Sequence, residues 1–374
     1  MRILITSNRG AGHIEPLVPF AHALLRAGDD VLVAAPEGVR THVERAGLPF
    51  FAIADPPDDE RDAVMAGFPR LTNDEQGVIM LRDVFADIYA RASLPGVLRA
   101  VDRFAPDMIL REPTEFAGLL AAERRGLPHG RIGIWAMENN TWSLPLVAPV
   151  LDAHRARLGM PMDPRGERIL NSPVLTLFPE ALEDPSDPGY ALRFREQMPA
   201  PVECEPLYVT YGSVLPGLPF FPEVFRATID ALDEVGVPAL FTVGIEVEIA
   251  ALGPVPEHVR IEPWVPQAAI MPNVRAMVGH GGSGTTRMAL AAGVPSVIFP
   301  AFADQPRNAA RVVGLGAGIA LDSLDGLASA IRRVLDEPSY REAAQRVADE
   351  VAALPPVDVA PDALRALLAP ALAA

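Results

Sequence analysis

Apolar positions along the first fifty residues alternate between two periods. Residues 2–6 form a short β-rich run, and a glycine-bearing loop follows over residues 8–13. Residues 17–27 carry apolar side chains at helical spacing, 31–35 read as a strand, 39–46 as a helix and 50–53 as a strand. The alternation resumes with a strand at 108–110, a helix at 114–125 and a strand at 131–134. Strand and helix in turn predict a parallel sheet with helices on its faces. Between the two blocks, residues 55–105 break the rhythm. An acidic, proline-bearing loop leads there into helices carrying Met65, Phe68, Met80, Leu81, Phe85 and Tyr89. Long excursions from an α/β scaffold often line binding sites, although simple packing of the helices accounts for the same residues.

Residues 179–206 hold Pro179, Pro185, Pro188, Pro199, Pro201 and Pro206 among acidic side chains without sustained periodicity. That composition reads as an inter-domain linker. Beyond it the alternation restarts, with strands at 207–210, 239–243, 259–261, 276–279 and 296–299 and helices at 221–235 and 285–292. Two alanine-rich helical segments, broken at Pro355-Pro356, end the chain. The predicted class is α/β, with two Rossmann-like β/α/β domains facing each other across a cleft. The N-terminal domain is expected over residues 1–195 and the C-terminal domain over 196–355. The last helix, 356–374, is expected to return to the N-terminal domain.

Composition narrows the function. A chain of 374 residues suits two hydrophobic cores better than one. Its net charge of −16 argues against nucleic acid or an anionic membrane surface as partner. No apolar run reaches the length of a bilayer span. The N-terminus enters a strand at once, without a signal segment, so a cytoplasmic protein is expected. All 32 basic residues are arginine, which excludes Schiff-base chemistry and a phosphate loop ending in Lys-Ser or Lys-Thr. Cys204 is the single cysteine, leaving no internal disulfide and no cysteine-rich metal site.

In open parallel sheets, ligands bind beyond the carboxyl ends of the strands. Gly10-Ala11-Gly12-His13 lies at such an end. It half-matches a dinucleotide fingerprint, but Glu15 stands where a third glycine is needed and would repel a pyrophosphate. The loop instead presents His13 at a helix start, where the helix dipole favours a neutral imidazole, suited to a general base. A carboxylate partner would come from Glu112 or Glu115, after the strand at 108–110. Glu112 is preferred, because an acid in a first helical turn has its own electrostatic reason to be there. His280-Gly281-Gly282-Ser283-Gly284-Thr285-Thr286 joins a strand to a helix and forms an anion-binding nest suited to a diphosphate. Tyr211-Gly212-Ser213 adds a second small-residue turn. Trp264-Val265-Pro266-Gln267 offers a ring to stack on a nucleobase, with backbone groups and Gln267 for its edge. Asp304 and Gln305 follow a strand and suit sugar hydroxyls.

On these segments, together with Pro16, Gly293-Val294-Pro295 and Asn308, the chain resembles the inverting glycosyltransferases of family 1 (GT-B fold) from bacterial natural-product pathways. The resemblance covers nearly the whole chain. It implies that His13 deprotonates the acceptor and that Glu112, where many relatives carry aspartate, orients the histidine. It assigns Trp264 to base stacking; Ser213, His280, Ser283, Gly284 and Thr285 to the diphosphate; and Asp304 and Gln305 to the sugar. Gly212, Val265, Gln267 and Gly282 complete the donor set. Relatives using UDP-sugars often carry a glutamate on the ribose hydroxyls where this chain has Met288, so a dTDP-linked deoxysugar is favoured over a UDP-sugar.

The expected reaction is direct displacement at the anomeric carbon, on a hydroxyl of a hydrophobic aglycone. Met65, Phe68, Met80, Phe85, Trp135, Met137 and Trp142 are the candidate acceptor wall. With no Asp-x-Asp pair in the chain, neither a metal nor a further cofactor is expected. C-glycosylation of an aromatic ring, a sugar-nucleotide epimerase and a non-catalytic helper remain alternatives, with a nicotinamide oxidoreductase disfavoured by Glu15. Whether the chain forms a homodimer is left open.

Overall fold

The computed structural model describes residues 1–135, 140–183, 190–199, 205–213, 215–217 and 221–372. The chain divides into two compact units. One comprises Met1–Phe178, Asp184–Glu196 and Pro355–Ala374, the other Pro179–Glu183 and Gln197–Leu354. The first contains β1 (Arg2–Thr6), β2 (Asp30–Pro36), β3 (Phe50–Ile53), β4 (Met108–Arg111), β5 (His129–Ile132), β6 (Val174–Thr176) and β7 (Leu192–Arg193). They form one sheet in the order β3-β2-β1-β4-β5-β6-β7, every pair parallel. The second unit contains β8 (Glu205–Thr210), β9 (Ala239–Thr242), β10 (Val259–Glu262), β11 (Val274–Gly279), β12 (Ser296–Ile298) and β13 (Gly318–Ala320). Their order is β10-β9-β8-β11-β12-β13, again all parallel.

The central strands show why the sequence folds this way. Ile3, Leu4 and Ile5 of β1 are wholly buried. Ile3 and Ile5 pack with Phe20 and Leu24 on one face, while Leu4 packs with Ile109, Val97 and Leu120 on the other. A strand covered on both faces needs an unbroken apolar run. In β8, Leu207 and Val209 meet Phe225 and Phe241, and Tyr208 meets Met271 and Met277. Each fully buried side chain of this size contributes roughly 1.5–3 kcal/mol, so both central strands anchor the loops that leave them.

In each sheet the order reverses beside the central strand: β1 lies between β2 and β4, and β8 between β9 and β11. Loops leaving neighbouring strands there diverge to opposite faces and open a crevice. Residues 7–13 and 112–115 occupy the first such point, and residues 211–213 and 280–283 the second.

Residues 179–206 are more than a linker. Leu192–Arg193 is the edge strand of the first sheet. The Arg195 N–H donates to the Pro355 carbonyl (2.9 Å) and the Val357 N–H to the Arg195 carbonyl (2.9 Å). A two-residue strand has no period to read, which is why the sequence shows only prolines and acids here. The final helix, Ala360–Leu372, packs on helix Val18–Arg26, with Val357, Ala360 and Leu364 in the first core. The excursion runs through helices Asp58–Met65 and Asn73–Ile79, a π-helical stretch Met80–Tyr89 and helix Ala90–Phe104. Among the described residues, no helix is long and apolar enough to cross a membrane.

Candidate active site

At the first crevice the chain turns helical from Ala11, and the His13 N–H donates to the Gly10 carbonyl (3.1 Å). The His13 ring is 20% exposed and its Nδ1 lies 3.0 Å from Oε1 of the wholly buried Glu112. Burial alone would push the Glu112 carboxyl up. The charge and hydrogen bond of His13, with the bonds from Thr114, outweigh it and hold the group below the usual carboxylate range. A carboxylate only accepts, so Nδ1 carries a hydrogen, and in the neutral ring the lone pair is on Nε2. An imidazole in this state can take a proton at Nε2.

Glu115 has a different place. It caps helix Phe116–Arg125, accepting from the Gly118 N–H (2.8 Å) and from the Thr6 hydroxyl. Burial pushes its carboxyl up to about 7, against the lowering effect of those bonds. Its folded proton affinity thus exceeds that of the unfolded chain, where an ordinary carboxyl stands near 4.5. Between these values the folded state binds more protons, so this group's contribution falls as pH rises from about 4.5 to about 7. His280, depressed by burial from 6.5 to about 4, acts with the opposite sign between those values, and its contribution is common to wild type and variant. Glu115→Gln keeps the cap and removes the titration. Relative to wild type, the variant should gain about 2–3 kcal/mol of stability at pH 8 over pH 5. Urea unfolding of both proteins at the two pH values checks this, and parallel pH dependence would refute it.

Asn8, Arg111 and Thr114 are functional candidates that sequence reasoning passed over. Arg111 is wholly buried, and its Nη1 donates to the carbonyls of Glu112 (3.2 Å), Pro113 (2.7 Å) and Glu115 (3.3 Å), bracing the turn. Asn8 and Thr114 both bond Glu112. Their signal lies in the β1–β4 register, which pairs Thr6 with Arg111 and so brings the loops that follow the two strands side by side.

Of the acceptor candidates, two flank His13. Ring centroids lie 5.8 Å from it for Phe85 and 6.4 Å for Trp135, inclined at 55° and 77°. Tyr89 stands behind Phe85 at 5.6 Å. Phe68 and Met80 are half-buried and Met65 is exposed at the end of its helix. Trp142 packs on the cluster of Leu144, Val147 and Leu151, as core residues do. Met137 lies outside the described residues.

At the second crevice, His280 directly follows β11 and Gly282 precedes helix Ser283–Ala291. The first amides of that helix have no intrahelical acceptor and present an anion site. Burial depresses His280 to about 4, against the opposing effects of Asp304 and the Thr210 carbonyl, so at neutral pH the ring is an uncharged donor. Gly212, at φ +74°, lies against the ring: a Cβ there would come within 2.8 Å of it. Ser213 is exposed beside it. Trp264 is 63% exposed, so it is not a core tryptophan. Val265 is half-buried and packs, with Met288, on the cluster around Met271. The Thr285 hydroxyl lies 3.2 Å from Gln267 Oε1, tying the tryptophan turn to the nest helix.

Asp304 and Gln305 are already engaged within this unit. Asp304 Oδ2 accepts from the Ser283 hydroxyl and from Asn308 Nδ2 (2.8 Å). Asn308 Nδ2 also lies 2.8 Å from the Gly281 carbonyl. Gln305 is buried, its Oε1 accepting from the N–H groups of Ala301 (2.8 Å) and Phe302 (3.2 Å). These bonds lock the turn at residues 280–283 and the turn at 301–305 into one piece, with Asn308 at its centre.

Residues 227–367 match the family described as erythromycin biosynthesis protein CIII-like, C-terminal domain. Over 98% of its length and 98% of the relative's, the chain is 31% identical to the L-demethylnoviosyl transferase of Streptomyces niveus. The glycosyltransferase SnogD of Streptomyces nogalater superposes with a TM-score of 0.78 at 27% identity, covering 98% of this chain and 99% of that one. The spinosyn rhamnosyltransferase SpnG, solved with thymidine diphosphate, shares the fold at a TM-score of 0.80 and 23% identity, covering 98% and 100%. The chain belongs to the natural-product glycosyltransferases of antibiotic biosynthesis, enzymes of GT-B fold.

Proposed function

We propose that the enzyme transfers a deoxysugar from a dTDP-linked donor to a hydroxyl of a hydrophobic aglycone with inversion, His13 acting as general base. The observation that carries this reading is the His13–Glu112 pair, with Nδ1 on the carboxylate and Nε2 left to accept. His13 Nε2 takes the hydroxyl proton as the acceptor oxygen bonds to the anomeric carbon. The carbon–oxygen bond to the diphosphate breaks, and its electron pair leaves with dTDP. Charge gathering on the leaving diphosphate is met by the His280–Thr285 turn, where prearranged donors stabilise the transition state most. Glu112 stabilises the imidazolium that forms. Phe85 and Trp135 hold the apolar acceptor beside the base.

The dTDP preference rests on Met288. It packs into the apolar cluster with Val265 and Met271, and its thioether is too weak an acceptor to replace a carboxylate on a ribose 2′-hydroxyl. Thymidine diphosphate in the fold relative SpnG agrees with this choice. Calorimetric titration with dTDP, UDP, ADP and NAD tests the reading. The expected result is tighter binding of dTDP than of UDP, weakened about tenfold or more by Trp264→Ala, in line with the worth of one stacked base. UDP binding as tightly as dTDP would remove the deoxyribose preference. NAD binding without either pyrimidine nucleotide would overturn the donor site.

A further inference from the structure

Glu112 sits in a closed ring of donors. Its Oε1 accepts from His13 Nδ1 (3.0 Å) and Asn8 Nδ2 (2.9 Å), and its Oε2 from the Thr114 N–H (2.6 Å). The Thr114 hydroxyl lies 2.8 Å from Oε1 and 2.9 Å from Oε2, and donates to the carboxylate. Asn8 Nδ2 also reaches Thr114 Oγ1 (3.2 Å). Only the amide nitrogen of Asn8 can face a carboxylate, so its orientation is decided by chemistry. Both Asn8 hydrogens are then used, one on Glu112 and one on Thr114. Asn8, Glu112 and Thr114 are 2%, 0% and 1% exposed, so no solvent can replace a lost donor.

We infer that Asn8 and Thr114 are the positioning residues of the His13–Glu112 pair, holding the carboxylate so that His13 is kept in the single form with hydrogen on Nδ1. A carboxylate tied by His13 alone could rotate about its side-chain torsions. The ring of Asn8 and Thr114 removes that freedom and turns Oε1 toward the imidazole. Losing one of these donors leaves a buried anion under-satisfied, and a moved carboxylate releases the imidazole to mixed tautomers. The other ionisable groups near the pair are Arg111 and Glu115 on the same turn, Arg9 and Glu15 on the segment carrying His13, and Tyr89 behind Phe85. None of them donates to Glu112 Oε1 or Oε2 among the hydrogen bonds described above.

The assignment rests on the general-base reading only for its catalytic consequence, because its test uses neither nucleotide nor acceptor. Imidazole ¹⁵N resonances of the full-length protein, recorded at alkaline pH, report which ring nitrogen carries the hydrogen. Wild type should show His13 with a protonated Nδ1 and a bare Nε2. Asn8→Ala and Thr114→Val should each lose that single signature, moving Nε2 toward the protonated form. Thr114→Ser, which keeps the hydroxyl, should restore it. A wild-type His13 protonated on Nε2, or variants that fold and keep the wild-type signature, would overturn the proposal. Two variants that both fail to fold would make the ring a requirement of the fold and overturn the narrower role. Failure here leaves dTDP titration untouched, so the two readings fall separately.

Discussion

Replacement of His13 by alanine is expected to lower kcat by about 10²–10⁴-fold, the range that a positioned general base supplies, while dTDP affinity stays at the wild-type value. The two halves of that expectation have separate physical origins. His13 and Glu112 lie at the β1–β4 crevice of the first unit, whereas the nest and Trp264 belong to the second. An aliphatic hydroxyl is a poor nucleophile until its proton has somewhere to go, and alanine leaves only water to receive it. Glu112→Gln should lower kcat as well, by a smaller factor. The amide can still meet Nδ1 through its oxygen, but it no longer balances the imidazolium charge. Steady-state kinetics with the donor chosen by titration, and the acceptor found with it, measure both variants. A His13→Ala enzyme turning over within tenfold of wild type would remove the histidine from the mechanism.

How much of this could be read from residues alone varies with the physics at each place. The wholly buried run Ile3–Leu4–Ile5 and its counterpart in β8 are visible because a strand covered on both faces must be apolar throughout. Strands of two or three residues, such as β6, β7 and β13, carry no period. The glycine-rich turn at residues 280–286 is legible because a strand–glycine–helix turn is a local structure. The choice between Glu112 and Glu115 is not local. It is decided by a cap: Glu115 is engaged at Gly118 and Thr6, which leaves Glu112 for His13. Asn8 looks like an ordinary polar loop residue until the register between β1 and β4 sets it against Glu112. Gln305 shows the converse. Its residue type suits sugar hydroxyls, yet its oxygen holds the backbone of residues 301 and 302. Trp264 could have been core by composition, and its 63% exposure shows that it is not.

Gly282→Ala is expected to weaken dTDP binding by about 100-fold or more, through sterics and not through backbone strain. Gly282 has φ −60° and ψ 141°, a conformation open to any residue. An added Cβ would overlap His280 Nε2, and because a Cβ at Gly212 would also fall 2.8 Å from that edge of the ring, the imidazole lies close to both glycine turns. Relief requires the imidazole to swing out or the turn to shift, and either removes donors from the diphosphate site. Hydrogen bonds to charged groups are worth about 1.5–3 kcal/mol each, so losing two gives a fall of 10² or more. His280 is uncharged at neutral pH, so a displacement changes the position of its ring and of the turn and not a charge. Gly314→Ala is the matched control, since its Cβ would meet nothing within 4 Å. Calorimetry with dTDP reads the affinities, and thermal melting separates lost binding from lost folding. If folded Gly282→Ala protein bound dTDP within threefold of wild type, the diphosphate would have to be held elsewhere than on the turn around His280.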